Sequence, residues 1–304
     1  MAIMWREFGD FDAWGEMVRS ADLRLACDWA ERRSWRLAAG GIGDVFIQMA
    51  DEGGGNLCHG ANTHGGIQLF VPLSQVAGHI CNCEPLDAGS LLAIPPGADF
   101  SIQVRRTAHR WLAVALPPRV NDAWPLLPPG SRVLRPGAAA VGTLIDLAVR
   151  ILDGPAPGLP AGPARDAAVT ELVAAARACL SQPEATPPSP GRPRIDRAEI
   201  IRRTMARLET DTVERPTVEQ LATAAGVTER TLARAFRDTF GTSPLQYVLL
   251  RQLHAVRRGL RSAPSDATVS EILVRHGIWD HGRFAARYRR HFGESPSATL
   301  TDRS

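Results

Sequence analysis
The sequence predicts an α+β chain: an N-terminal antiparallel β barrel or jelly roll carrying an αα-hairpin, then an all-α domain with two helix-turn-helix motifs. Three observations carry this expectation. Short apolar runs broken by Gly, Pro, Asn and Asp fill residues 35 to 116, a proline-rich stretch follows at 181–196, and the residues beyond it repeat one pattern at an offset of 51 to 52. Strands of four to eight residues at that turn spacing belong to closed antiparallel sheets, and an internal repeat marks a duplicated unit.

The apolar runs are WRLAA, DVFIQMA, GIQLFVPL, GHICNC, SLLAIP, DFSIQV and RWLAVAL. Pro95-Pro96-Gly97 and the stretch Glu84 to Gly89 (EPLDAG) read as turns between them. A cupin-like barrel is expected. Trp35, Phe46, Phe70, Cys81, Phe100 and Trp111 sit in strand centres or alternate with polar neighbours. Several are expected to point inward and to line a small-molecule pocket.

Residues 137–153 and 164–180 have helical periodicity. Val141, Leu144, Ile145, Ala148 and Ile151 form one apolar stripe, and Val169, Leu172, Val173, Ala176 and Leu180 another. The segment GPAPGLPAGP between them forms a loop, so the pair is an αα-hairpin. Its stripes can pack on their own domain or against a second copy of the chain. A homodimer through Leu144 and Leu172 is the expectation, because the hairpin directly precedes the linker. SQPEATPPSPGRPRID holds five prolines and little to bury, so 181–196 reads as an extended linker between domains 1–180 and 197–304.

In the last domain Thr217-Val218 matches Thr268-Val269, Leu221 matches Ile272 and Gly226 matches Gly277, each 51 residues on. Past one inserted residue the offset is 52, and Leu232, Phe236 and Phe240 match Phe284, Tyr288 and Phe292. Both copies then read Gly-x-Ser-Pro. Each unit opens with a capping box, Thr217 with Gln220 or Thr268 with Glu271, and reaches a glycine just before the next N-cap, Thr228 or Asp280. Two short helices about a tight glycine turn describe a helix-turn-helix. The aromatics recur at i, i+4 and i+8, while Arg230, Arg234 and Arg237, and Arg283, Arg287 and Arg290, occupy other faces. Ser243-Pro244 starts a helix of about 18 residues, roughly 27 Å long. That rod suits two reading helices about one DNA turn, 34 Å, apart.

The chain has 304 residues and a formal net charge of +3. Residues 195–304 hold 18 Arg against 13 acidic residues, and residues 1–194 hold 17 against 19. Every side-chain cation is arginine, a rigid fork suited to phosphate and guanine. There is no run of about 20 apolar residues for a membrane span and no basic-then-apolar leader, so a cytoplasmic protein without a membrane partner is expected. Five cysteines stand at 27, 58, 81, 83 and 179. Cys81-Asn82-Cys83, near His79 and Cys58-His59, invites a metal or redox reading. The C-x-C spacing departs from the C-x2-C pairs of structural zinc, so buried or turn thiols, with no metal and no cofactor, are expected.

The paired stretches LARAFRDTFGTSPLQYVLLRQLHAVRRGL and ILVRHGIWDHGRFAARYRRHFGESPS resemble the AraC/XylS family of bacterial transcription regulators, over about residues 197–301. The resemblance implies a seven-helix domain that enters two successive major grooves of double-stranded DNA. By position it implies base-reading roles for Arg230, Ala233 and Arg234, with Thr231 beside them, and for His281, Gly282, Arg283 and Ala286. Arg237 and Arg290 are placed for phosphate. The second motif departs from the family where Gly282 and Phe284-Ala285-Ala286 replace Ser and Phe-Ser-Arg, and where Tyr288 replaces Phe. Trp279 stands at a small or polar position. The family's second-motif arginine is therefore missing, with Arg287 or Arg283 in its place. Phe8-Gly9-Asp10-Phe11-Asp12 is similar to the opening of one branch of the family's effector-sensing, dimerising barrels. RNA polymerase is an implied partner of an activator.

Two other readings stand beside this one. A cupin-type enzyme lacks support from any H-x-H triad, G-x-S-x-G, P-loop or Rossmann glycine pattern. A regulator without a small-molecule effector, controlled by a protein partner or by its abundance, fits a barrel packed solid.

Overall fold
The computed structural model describes residues 3–28, 34–73, 78–104, 109–123, 130–154, 162–181, 197–210 and 216–302. Most of the proline-rich linker and of the hairpin loop lies outside these residues. The chain forms two compact units, Met1–Arg24 with Arg33–Arg192, and Leu25–Arg32 with Pro193–Ser304. The grouping of Leu25–Arg32 with the second unit has no signal in the sequence.

The first unit is built on two antiparallel sheets. One has seven strands in the order β1 (Arg6–Phe8), β3 (Trp35–Ile42), β4 (Val45–Glu52), β11 (His109–Ala115), β6 (Gln68–Pro72), β9 (Leu91–Ile94) and β12 (Arg132–Leu134). The other has five, in the order β2 (Ala21–Cys27), β5 (Asn56–Asn62), β10 (Asp99–Val104), β7 (His79–Cys81) and β8 (Glu84–Pro85). Strands β4 to β11 taken alone give β4-β11-β6-β9 against β5-β10-β7-β8, the eight-strand arrangement of a jelly roll. Pro95-Pro96-Gly97 turns as expected: the Ala98 N–H donates to the Pro95 carbonyl, with Gly97 at φ 71°. The expected turn at 84–89 starts later, because Glu84 and Pro85 pair with Cys81 and Ile80 as β8.

β5, NLCHGAN, is a strand without an apolar run. Its Gly60 is needed for space, since a Cβ there would lie 2.7 Å from the Leu23 side chain and 2.8 Å from the Asp22 carbonyl of the neighbouring β2.

The hairpin helices α2 (Ala138–Asp153) and α3 (Pro163–Leu180) follow a short first helix, α1 (Phe11–Gly15). Their stripes settle the choice left by the sequence. Val141, Leu144 and Ala148 join Val169, Leu172 and Ala176 in one buried cluster with Ile47, Met49, Leu112 and Val114 of the seven-stranded sheet. Leu144 and Leu172 are each 0% exposed. The expected dimer contact through these two residues is therefore corrected: the sheet of their own unit covers them. Burying a leucine contributes about 1.5–3 kcal/mol, and the sheet's outer face supplies the apolar surface for it.

The second unit holds seven helices among its described residues, α4 (Arg197–Thr210), α5 (Val218–Ala225), α6 (Glu229–Phe240), α7 (Pro244–Arg261), α8 (Val269–Arg275), α9 (His281–Phe292) and α10 (Pro296–Thr301). Both capping boxes are formed. Gly226, Gly241, Gly277 and Gly293 all take the left-handed conformation, with φ from 67° to 74°. That conformation costs an L residue with a Cβ roughly 1–2 kcal/mol, so glycine at these positions lets each helix stop where the repeat requires. Phe236, Phe240 and Tyr247 pack together, with Phe240 stacked on Tyr247 at 4.5 Å. In the second copy Tyr288 packs on Phe292 at 4.6 Å, and its hydroxyl shares a 2.8 Å hydrogen bond with Thr299. No described helix is long and apolar enough to cross a membrane.

Candidate nucleic-acid interface
Two helices present the candidate surface, and the same local chemistry starts each. The Thr228 hydroxyl accepts from the Thr231 N–H at 3.2 Å and begins α6, and the Asp280 carboxylate accepts from the Arg283 N–H at 3.0 Å and begins α9. One side of α6 is consumed by the core through Leu232, Ala235, Phe236, Thr239 and Phe240. What remains outward includes Arg230, Thr231, Arg234 and Arg237, all exposed, with Ala233 half-buried between them. On α9, Phe284 and Tyr288 point inward. Gly282, Arg283, Ala286 and Arg290 are exposed, and His281 and Arg287 are half-buried.

The arginines are held lightly. Arg234 Nε lies 3.8 Å from the Asp238 carboxylate one turn on, and Asp238 is also held by Arg197 at 3.0 Å. Such exposed pairs contribute little, about 0–1 kcal/mol, so Arg234 can exchange Asp238 for a stronger acceptor. A Cβ added at Gly282 would meet nothing within 4 Å, which leaves the first turn of α9 open to close approach. Trp279 immediately precedes the α9 N-cap and is 72% exposed. The sequence marks it only by its bulk at a small or polar position of the motif.

The comparisons agree with this geometry. A family profile described as "Helix-turn-helix domain" matches residues 221–302. A Rhodococcus erythropolis protein named "Probable thc operon regulatory protein" is 35% identical over 102 residues, covering 33% of this chain and 31% of its own. The "XylDLEGF operon transcriptional activator 2" of Pseudomonas putida is 38% identical over 85 residues, covering 28% of this chain and 54% of its own. Over this stretch the chain is similar to regulators of the AraC/XylS type. A solved transcriptional regulator with an AraC-type DNA-binding domain, from Chromobacterium violaceum, is 25% identical, covers 34% of this chain and 92% of that one, and has a TM-score of 0.32. The matched stretch spans about a third to a half of the two curated relatives, so the AraC/XylS likeness belongs to the helical unit.

In the first unit five of the six residues expected around a pocket take core places. Trp35, Phe70, Cys81, Phe100 and Trp111 are buried and Phe46 is half-buried. Trp14, unremarked in the sequence, lies 5.1 Å from Trp35 and 6.3 Å from Trp111 between ring centroids, and Trp111 packs on Phe70 at 5.5 Å. These rings pack against one another in tilted and edge-on arrangements. A cleft of about 610 Å³ in this unit is lined by other residues, among them Glu7, Arg36, Glu52, His109 and Arg110. The six residues expected around a pocket do not line this cleft. Cys81 is fully buried, and Cys83 occupies the turn between β7 and β8 at φ 71°. Burial pushes the Cys58 and Cys81 thiols well up, with the Glu52 charge adding to it, so both stay protonated and poor as nucleophiles or ligands. Among the described residues no group of three or more His, Cys, Asp or Glu is arranged to hold a metal ion.

Proposed function
We propose that the chain is a sequence-specific, double-stranded-DNA-binding transcription regulator, an activator acting in the cytoplasm, with α6 and α9 as its two reading helices. The observation that carries this reading is the duplicated outward arginine face, each copy on a capped helix behind a left-handed glycine. Arg230 and Arg234 read guanines from α6, and Arg283 or Arg287 does so from α9. Arginine offers two parallel donors to the O6 and N7 of guanine. Arg237 and Arg290, further along each helix, grip phosphate. A small-molecule effector, a second copy of the chain and RNA polymerase complete the proposed partners. The relatives' names as operon regulators favour this over a cupin-type enzyme.

Binding titrations against single-base operator variants at several salt concentrations test the assignment. Arg234→Ala is expected to cost about 1–3 kcal/mol and to relax preference at one base position. Arg290→Ala is expected to weaken all sequences alike and to lower the salt slope by about one. Equal weakening of every variant by Arg234→Ala would remove that residue from base reading. Control without a small molecule is the second reading, favoured by the mutual contacts of Trp14, Trp35, Phe70 and Trp111.

A further inference from the structure
The register of the jelly roll gathers polar residues that lie far apart in sequence. Glu52 is the direct cross-strand partner of His109 at the end of β4 and β11. On the facing sheet His79 pairs with Val104 of β10, and Gln103 pairs with Leu57, which places Asn56 one residue further along β5 in the same row. The four side chains converge. His79 Nε2 lies 3.3 Å from Glu52 Oε1, Asn56 Nδ2 donates to Glu52 Oε2 at 3.3 Å, and the two imidazole centroids are 5.0 Å apart. All four residues are buried, His109 being 4% exposed.

Their hydrogen-bonding capacity is not used up. Among the described residues, both ring nitrogens of His109, Nδ1 of His79 and Oδ1 of Asn56 are buried with no partner. Leaving a buried polar group unsatisfied costs about 1–3 kcal/mol, so four at one place mark something outside the chain that satisfies them. A neutral imidazole supplies one donor and one acceptor. The set is therefore rich in acceptors: Asn56 Oδ1, the free lone pairs of Glu52 and at least one imidazole nitrogen. Glu52 and His109 also form part of the wall of the 610 Å³ cleft, which gives a ligand access. The cleft's charges lean the same way. Arg36 and Arg110 are both spent on Asp51, and Glu7 and Glu52 remain, so the described lining residues carry more carboxylate than guanidinium. Burial, followed by the neighbouring His79, holds the His109 imidazole below its usual range, which disfavours a positive charge on that ring.

We propose that Glu52, Asn56, His79 and His109 form the recognition site for a small organic cation, a compound bearing a primary ammonium group. The ammonium has three donors and no acceptor, matching an acceptor-rich floor around one buried carboxylate. The proposal gives a chemical class to the effector of the regulator proposed above. Its test measures binding to the full chain without DNA, so it fails separately from DNA recognition.

Thermal unfolding and calorimetric titration of the full-length chain with 1,4-diaminobutane, succinate, sorbitol or zinc chloride, each at millimolar concentration, decide the matter. The diamine is expected to raise the unfolding midpoint by a few degrees and the other three to leave it unchanged. Glu52→Gln is expected to weaken diamine binding at least tenfold. Because Glu52→Gln risks misfolding, His109→Asn serves as the second variant and is expected to lose binding while keeping the midpoint of the unliganded chain within a few degrees. Absence of binding by the diamine would overturn the proposal, with ordered water then satisfying the four atoms. A response to succinate, to sorbitol alone or to zinc alone would equally overturn the ligand class.

Discussion

Between Gly226 and the N-cap Thr228 stands one residue, Val227; between Gly277 and the N-cap Asp280 stand two, Ile278 and Trp279. Ile278 is buried with Phe284 and Tyr288 and takes the inward place that a residue ahead of an N-cap often fills against the fourth helical position. Trp279 is consequently turned out to solvent at the start of α9. Trp279→Ala is expected to change stability by no more than about 0.5 kcal/mol but to weaken operator binding measurably. Equal affinity of the two proteins for DNA would free Trp279 from that role. His276, at the end of α8, is a different kind of residue. Burial, and then the Arg258 charge, hold its imidazole below the usual range. Around pH 6 the folded state thus binds fewer protons than the unfolded one, and stability rises with pH up to the unfolded value near 6.5. His109 is shifted in the same direction. Urea titrations from pH 5 to pH 7.5 are expected to show stability falling as acid is added, with a shallower slope in His276→Asn. An unchanged slope would mean that His276 is not a source of the acid sensitivity.

At the scale of elements, the buried stripes of the α2 and α3 hairpin cover the sheet of their own unit. Leu144→Ala is expected to destabilise the first unit by about 2–5 kcal/mol and to leave the oligomeric state of the folded protein unchanged in light scattering. Dissociation of an otherwise stable oligomer by this variant would contradict the packing. The sequence announced both helices because each stripe recurs at helical spacing, yet periodicity says only that a face is covered and not by what. Strand legibility followed the same logic. β3, β4, β6, β7, β9, β10 and β11 coincide with apolar runs. β5 has no apolar run to announce it, because Leu57 and Ala61 stand apart among asparagine, cysteine, histidine and glycine, with Gly60 required by the close approach of β2. The helix-turn-helix units were read almost to the residue, since capping boxes, left-handed glycines and Ser-Pro starts are local chemistry that needs no tertiary context.

At the scale of the whole molecule, the two candidate sites differ in legibility for one physical reason. The arginine faces lie within single helices, so their spacing is written in the chain. The cluster of Glu52, Asn56, His79 and His109 depends on strand register, which joins Glu52 to His109 across 57 positions, and no short motif reveals such a pairing. The same distant pairing bears on how the chain acquires its structure. Most partners in the jelly roll are far apart in sequence, as where Phe46 meets Ala115 and Cys58 meets Ile102, whereas helices α5 to α10 assemble largely from neighbours. Folding slows as contacting residues become more distant along the chain, from microseconds or milliseconds for helical units to milliseconds or seconds for sheets of this kind. Stopped-flow refolding should therefore resolve two phases, a fast one in far-ultraviolet helical signal and a slow one in the fluorescence of the Trp14, Trp35 and Trp111 group, and a single shared rate would contradict this. The unit that folds slowly is the one the ribosome releases first, and synthesis at about 5–20 residues per second gives it several seconds to close its barrel before the arginine-bearing helices emerge.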